Sequence, residues 1–140
     1  KKTIGNKIRV IKMAEDNGIY KCEVCGNVVS VLEASGGELV CCGKPMALQE
    51  EKTAEQEGQE KHVPVIEKTD NGVRVKVGSI AHPMEEKHYI EQIQLLKDGE
   101  IIIEKRIRPN EKPVAEFCCT EAVEWLKARA LCNIHGLWKN

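Results

Sequence analysis

The sequence has few aromatic residues and no excess of either charge. Phe, Trp and Tyr make up only 4% of the 140 residues, so any core must consist mainly of Val, Ile, Leu and Ala. Lysine and arginine together number 21, aspartate and glutamate number 22, and the formal net charge is -1. This balance gives no reason to expect nucleic acid or an anionic membrane surface as a partner.

Long apolar runs are also missing. No apolar run is long enough to span a bilayer, and nothing after the basic N-terminus resembles the apolar core of a signal peptide. These absences predict a soluble, cytoplasmic protein without a membrane partner. Residues 1–12 carry five basic side chains and no acidic one, which predicts a leader, a cloning remnant or a mobile extension, with a functional basic arm as the alternative.

Cysteine, in contrast, is abundant. Seven cysteines would suggest disulfides in a secreted protein, but an odd number cannot pair completely and nothing in the sequence argues for secretion. In a reducing cytoplasm, cysteines at short spacings are more often metal ligands. We therefore interpret the cysteine clusters as metal sites.

The composition divides the chain into a small cysteine-rich module and a larger strand-rich domain. Residues 13–49 combine short β-type runs with turn glycines, and they are too few to bury a useful core without a staple such as a metal. Residues 50–61 are polar and lack apolar periodicity, which predicts a linker or surface loop. From 62 to 140, short strands separated by turn signals predict an all-β fold with an antiparallel sandwich.

Hairpin turns are expected at 69–72 and 97–100, where Asn-Gly and Asp-Gly pairs separate apolar runs. Residues 120–130 are ambiguous. Their composition favours a helix with Thr120 as a possible N-cap, and strand alternation is the alternative. The predicted strands of this domain are 63–67, 73–77, 89–96, 101–107 and 114–119.

The first candidate metal site contains Cys22, Cys25, Cys41 and Cys42. Two cysteines separated by two residues can direct both sulfurs at one ion while nearby backbone amides donate to sulfur. Four thiolates suit a tetrahedral site for zinc or for a single iron, and spacing does not distinguish the two. Consecutive side chains in extended backbone point to opposite faces, so Cys41 and Cys42 can share a metal only if the backbone bends locally.

The second candidate site combines the four histidines with one cysteine: His62, His82, His88, His135 and Cys132. Turns at the ends of sandwich strands can bring such distant side chains together. Structural zinc closes with four ligands, whereas five protein ligands on a redox metal leave a sixth position open for a small substrate. A thiolate also pushes electron density onto the metal, which favours chemistry on bound oxygen species. Spacing alone leaves open whether all five converge.

These motifs together resemble the desulfoferrodoxins, a family of two-iron superoxide reductases. The resemblance runs from Met13 onwards and rests on the four-cysteine set, EKHVPV at 60–65, AHPMEEKHYI at 81–90 and CNIHGLW at 132–138. It implies a desulforedoxin-like module followed by an immunoglobulin-like, neelaredoxin-like sandwich, assembled as a homodimer. It also implies reduction of superoxide by one electron and two protons to hydrogen peroxide, with a rubredoxin-like electron donor.

The resemblance further assigns roles to individual residues. Cys22, Cys25, Cys41 and Cys42 would hold one iron ion; His62, His82, His88 and His135 would be equatorial ligands of the second, with Cys132 axial and opposite the open face. Lys61 would lie near the open position, attract superoxide and help to position a proton-donating water. Glu60 would occupy the sixth position when substrate is absent. Without the resemblance, both residues would be taken as the solvated end of a charged linker.

Several features depart from the family pattern or remain unassigned. Leu131 and Gln92 stand where aromatic residues are common in the family, and 118–132 looks longer and more helical than usual, so the wall of the iron pocket is expected to depart from the family pattern. Cys118 and Cys119 are adjacent on a predicted strand, so one should lie in the core and one outside. Two alternative functions are an electron carrier without catalytic turnover and a zinc-stabilised binding module.

Overall fold

The computed structural model describes residues 12–58 and 61–140. The chain divides into two compact units, of which the first ends at Gln49 and the second begins at Glu50. The predicted basic extension, apart from Lys12, lies outside the described residues, and so does Glu60. Within the described ranges, no helix has the length and apolar character that crossing a membrane requires.

The first unit is a module of short strands with little apolar core. Its strands are β1 Ile19–Lys21, β2 Val28–Ser30, β3 Val40–Cys41, β4 Lys44–Pro45 and β5 Ala47–Leu48. The order β2-β1-β5 forms an antiparallel sheet, and β3 pairs with β4 in a hairpin. Among its described residues, the buried hydrophobic side chains are Ile19, Tyr20 and Cys22. A core this small needs an additional cross-link to be stable.

The second unit is a sandwich of two antiparallel sheets. One sheet has the order β10-β7-β6 and the other has the order β12-β11-β8-β9. All described strand pairings are antiparallel, which confirms the predicted all-β class. The strands are β6 Pro64–Thr69, β7 Gly72–Val77, β8 Ile90–Lys97, β9 Glu100–Arg106, β10 Val114–Cys118, β11 Leu126–Cys132 and β12 Gly136–Lys139.

The sandwich core is aliphatic, as the scarcity of aromatic residues requires. Alternate residues of β7 point inward, and Val73, Val75 and Val77 are each almost completely buried. They share one cluster with Ile93 and Leu95 of the facing sheet. Burial of such aliphatic side chains is the main favourable contribution to folding.

Both predicted hairpins are present. Thr69 pairs with Gly72 across the first turn, and Lys97 pairs with Glu100 across the second. In the second turn, Asp98 and Gly99 have φ values of 51° and 80°. Two central residues with positive φ are what a type I′ turn requires, and this turn matches the twist of the flanking strands.

Of the two alternatives for 120–130, the structure shows a strand from Leu126 onwards and not the helix that the composition favours. Only Val123–Trp125 form a turn of 3₁₀-helix, and the chain then continues as β11. Pairing with β8 and β12 overrides helical propensity, since Leu126 and Ala128 are buried on the core side of β11. Strand alternation was obscured in the sequence by Arg129. This residue is only 5% exposed, and its guanidinium donates to Gln94 Oε1 from Nε at 3.0 Å and from a terminal nitrogen at 2.7 Å.

Part of the segment predicted as a linker is attached to the sandwich. Lys52 forms a parallel bridge with Trp138. Its backbone N–H donates to Leu137 O at 2.8 Å, and its carbonyl accepts from Lys139 N at 2.8 Å. Residues Ala54–Gln56 then form a 3₁₀ turn with a capping box to Thr53. The first residues of this segment therefore lie along β12.

Candidate metal centres

The four histidines and Cys132 converge at one end of the sandwich. Their donor atoms all lie within 4.8 Å of one another. His62 precedes β6, His82 follows β7, His88 precedes β8, and Cys132 and His135 flank the turn between β11 and β12. Because adjacent strands run antiparallel, these five positions meet at the same edge of the fold.

The four imidazole rings form a closed circuit. Ring centroids are 4.7 Å apart for His62 and His82, 4.9 Å for His82 and His88, 5.0 Å for His88 and His135, and 4.9 Å for His135 and His62. Successive ring planes meet at 61° to 86°. This edge-to-face arrangement surrounds one point from four sides, as equatorial ligands do.

Cys132 provides the fifth donor atom. Its Sγ lies 3.7 Å from His135 Nδ1 and accepts a hydrogen bond from the His135 backbone N–H at 3.4 Å. His62 Nε2 lies 3.1 Å from His135 Nδ1, so two ring nitrogens approach each other as ligands of a shared cation would. Three or more imidazole nitrogens with one thiolate form a donor set that suits iron, copper or zinc. The residues present therefore fit a bound redox metal.

Neighbouring groups fix the orientation of the histidines. His82 Nδ1–H donates to the carbonyl of Pro83 at 2.7 Å, which leaves its Nε2 as the available ligand atom. His62 is stacked on Trp138, with centroids 4.6 Å apart and planes inclined by 14°. Both histidines are buried, at 3% and 4% exposure, so their rings are held in a largely dry environment.

Asn133 ties the two loops that carry His88 and His135. Its Nδ2 donates to Lys87 O at 2.9 Å, and its Oδ1 accepts from Tyr89 N at 3.0 Å. Its backbone N–H also donates to Tyr89 O at 3.2 Å. The asparagine therefore forms hydrogen bonds to the residues on both sides of His88. Sequence reasoning missed this role, although its place between two predicted ligands was a signal.

Lys61 directly precedes His62 and is partly exposed, with 35% of its side chain accessible. Its Nζ lies 3.7 Å from Glu57 Oε2 and 3.3 Å from the carbonyl of Gly58. Glu57 also accepts the backbone N–H of Val63 at 2.7 Å through Oε1. The Glu57 carboxylate therefore contacts this segment on both sides of His62, at the Lys61 side chain and at the Val63 backbone. The other residue predicted here, Glu60, lies outside the described residues.

The four sulfurs of Cys22, Cys25, Cys41 and Cys42 also lie within 4.8 Å of one another. Backbone N–H groups of Cys25 and Asn27 donate to the sulfurs of Cys22 and Cys25, each at 3.5 Å. The expected local bend is present, because Cys42 has a φ of 52° and Gly43 a φ of 73°. These two residues connect β3 to β4, so the turn allows both adjacent sulfurs to face the same point.

Hydrogen bonds within the cluster shift the pKa values of Cys22 and Cys42 in opposite directions. The backbone N–H of Cys25 lowers the pKa of the Cys22 thiol to about 6. Hydrogen bonding to the Cys25 sulfur raises the pKa of Cys42 to about 12. A cation that the four sulfurs share would favour their thiolate forms. The cluster therefore fits a four-coordinate metal ion.

The two positions that lack the family's aromatic residues lie beside each other. Leu131 on β11 is paired directly with Gln92 on β8. A register shift follows between Leu131 and Cys132, and Cys132 belongs to the core cluster whereas Leu131 does not. Cys118, the last residue of β10, is exposed, and Cys119, which follows the strand, packs against the core, so the two side chains face opposite sides as predicted.

Comparisons with known proteins match both units. Residues 14–49 match the family described as Desulfoferrodoxin, N-terminal domain, and 54–140 match Desulfoferrodoxin. The chain is 56% identical to a desulfoferrodoxin homolog of Archaeoglobus fulgidus, over 91% of this chain and 99% of that protein. It is also 56% identical to the desulfoferrodoxin of Nitratidesulfovibrio vulgaris, over 86% of this chain and 93% of that protein.

Among solved structures, the superoxide reductase from Treponema pallidum matches with a TM-score of 0.69 and 26% identity, over 88% of this chain and 96% of that one. The one-iron superoxide reductase from Giardia intestinalis matches with a TM-score of 0.51 and 36% identity, over 59% of this chain and 96% of that one.

Proposed function

This chain belongs to the desulfoferrodoxin family, and we propose that it is a superoxide reductase. It combines superoxide with one electron and two protons to give hydrogen peroxide. The observation that carries this proposal is the closed circuit of four imidazoles with Cys132 as a fifth donor. It binds two iron ions, one at this His₄Cys centre and one at the four-cysteine centre.

Iron held by these five donors would supply the electron for superoxide, and the thiolate would increase electron density on the metal. The ligands we propose are His62, His82, His88, His135 and Cys132. The His135 backbone N–H that donates to Cys132 Sγ stabilises the thiolate and fixes its direction. Burial of His62 and His82 restricts rotation of their rings, so the ligand geometry is fixed before substrate arrives.

We propose that Lys61 attracts superoxide and positions a proton-donating water. Glu60 would occupy the sixth position on the metal between turnovers. The ion pair of Lys61 with Glu57 is long, at 3.7 Å, and partly exposed, so it contributes little stability and leaves the ammonium accessible. A cation beside an open position raises the encounter rate of an anion.

We expect Lys61→Ile to slow the reaction with superoxide about tenfold at low ionic strength, because electrostatic steering contributes factors of about 10 to 1,000. Both metals should remain bound, since Lys61 is not a ligand. Rapid mixing with superoxide at increasing salt measures the effect, and the difference from the unmodified protein should shrink as salt screens the charge.

The matched control for this variant is Lys68→Ile, which removes the same charge from an exposed position near the far end of β6. It should leave the rate nearly unchanged. Equal rates for Lys61→Ile and the unmodified protein would remove Lys61 from the mechanism.

We propose the following division of the chain. Residues 13–49 form the desulforedoxin-like module, in which Cys22, Cys25, Cys41 and Cys42 hold an iron for electron transfer or structure. Residues 50–61 connect it to the superoxide reductase domain at 62–140, and 1–12 form a basic extension. The convergence of the four sulfurs, which lie within 4.8 Å of one another, supports a shared cation in the module.

We further propose a homodimer that acts in the cytoplasm, detoxifies superoxide under oxidative stress and receives electrons from a rubredoxin-like protein. We propose that neither nucleic acid nor a membrane is a partner, and the near-zero net charge supports this. The module's small buried core supports its dependence on metal, and on a second copy of the chain, for stability.

The function is tested by mixing the reduced, two-iron protein with a pulse of superoxide and following its visible absorption. A transient at the thiolate-ligated centre with one peroxide formed per superoxide is the expected result. A protein loaded with iron that shows no transient would instead be an electron carrier. Zinc in both centres of the purified protein would favour the binding-module alternative.

A further inference from the structure

We propose that Lys52 is a positioning residue for the His₄Cys centre and that its ammonium raises the reduction potential of that centre. The effect acts through Trp138 and His135. This inference rests on the proposed function insofar as the centre holds iron, and it concerns a segment whose polar composition predicted only a linker.

The main chain fixes the base of the Lys52 side chain. Lys52 bridges to Trp138, with its backbone N–H donating to Leu137 O and its carbonyl accepting from Lys139 N, both at 2.8 Å. These hydrogen bonds are independent of the side chain. A substitution at this position can therefore remove the charge without detaching the segment from β12.

The Lys52 ammonium contacts the turn that carries His135. Its Nζ donates to the carbonyl of His135 at 2.9 Å and lies 5.4 Å from the centre of the Trp138 ring. A cation at this distance over an indole is attracted by the negative face of the ring. Lys52 is half-buried, so its charge is less screened than that of a fully exposed lysine.

Trp138 connects the ammonium to two of the proposed ligands. Its ring is stacked on His62 at 4.6 Å, and its Nε1–H donates to His135 O at 3.1 Å. The carbonyl of His135 therefore accepts hydrogen bonds from both Lys52 and Trp138. His62 and His135 are neighbours in the imidazole circuit, so one lysine supports two adjacent ligands.

A positive charge behind these ligands favours the state of the centre that carries one more electron. Coulomb attraction stabilises the reduced form relative to the oxidised form, and outer-shell groups of this kind are known to tune bound metals. The unmodified chain should therefore have a higher reduction potential at this centre than a variant that is neutral at position 52.

The test compares Lys52→Met with Lys52→Arg in the iron-loaded protein. Spectroelectrochemical titration of the thiolate-to-iron absorption should show a lower midpoint for Lys52→Met. We expect about a tenfold change in the ratio of oxidised to reduced iron at fixed potential, which is 59 mV for a one-electron couple. Lys52→Arg retains the charge and should stay near the value of the unmodified protein.

Lys139→Met is the matched control. It removes the same charge from the next residue of β12, where the ammonium pairs with Glu51 at 3.0 Å. Its midpoint should change much less than that of Lys52→Met. No shift in Lys52→Met, or an equal shift in both methionine variants, would overturn the proposal.

A second measurement does not require iron. In metal-free protein, Lys52→Met should shift the NMR resonance of the Trp138 indole N–H, whereas Lys139→Met should not. An unmoved indole resonance would also overturn the proposal. Because this readout needs neither superoxide nor iron, failure of the proposed function and failure of the role of Lys52 can be distinguished.

Discussion

Cys132→Ser is expected to lower the rate of superoxide reduction by more than about 100-fold, since loss of even an outer-shell partner of a metal costs about 10- to 100-fold. The serine hydroxyl does not ionise near neutral pH and donates less electron density than a thiolate. Cys132 is 1% exposed within the core cluster, and serine is similar in size, so the fold should persist. Rapid mixing with superoxide measures the rate, and the sulfur-to-iron absorption should disappear.

Cys118→Ser is the control for this substitution. Cys118 is exposed and lies at the end of β10, where it pairs with Gly72 near the first hairpin turn. The same atom is exchanged there, away from the ligand cluster, so rate and spectrum should be unchanged. An iron-loaded Cys132→Ser protein with the original absorption and rate would show that this thiolate is not a ligand.

The second large effect is expected for Gly78→Ala, which should lower the free energy of unfolding by about 3 kcal/mol and weaken iron binding at the His₄Cys centre. Gly78 has a φ of 83°, and a Cβ atom there would lie 2.5 Å from the carbonyl oxygens of both Lys61 and Ile80. Its N–H also donates to Val63 O at 3.1 Å. A methyl group would therefore push away the backbone that carries Lys61 and His62.

Gly99→Ala is the control that separates the cost of the positive φ from the cost of the steric clash with Lys61 and Ile80. Gly99 has nearly the same φ, 80°, but apart from its own residue and its chain neighbours no atom lies within 4 Å of its added Cβ. It should lose only about 1 kcal/mol, the cost of a left-handed conformation. Denaturant unfolding of both variants, together with iron titration, measures the difference. Equal losses of stability in Gly78→Ala and Gly99→Ala would mean that the close approach of the Gly78 backbone to Lys61 is unimportant.

Local sequence signals predicted much of the fold, because its strands are bounded by strong turn residues. Asp98 and Gly99 have the backbone conformation that their residue types favour. The sequence left helix and strand open at 120–130, because local composition favours a helix there and the strand pairing that decides the outcome is not local. Nothing near Arg129 in the sequence indicates that its buried guanidinium would donate a hydrogen bond to Gln94, which is 35 residues away.

The metal centres also contain some residues that the sequence predicted and some that it did not. Their cysteines and histidines are recognisable from residue type and spacing, and the bend at Cys42 followed from two sulfurs that had to face one point. Lys52 was missed because its contact with His135 spans 83 residues. The polar segment around it carries no periodicity, and the pairing with Trp138 depends on a strand formed much later in the chain.

The sequence separation of the ligands also affects when each centre can assemble during protein synthesis. The contact between Cys22 and Cys41 spans 19 residues, whereas that between His62 and His135 spans 73. At about 5 to 20 residues per second, the ribosome needs roughly 4 to 15 s to extend the chain from His62 to His135. The four-cysteine centre can therefore capture its ion early in translation. The His₄Cys centre cannot assemble before β11 and β12 have been synthesised, so its ligand set is the later of the two to become complete.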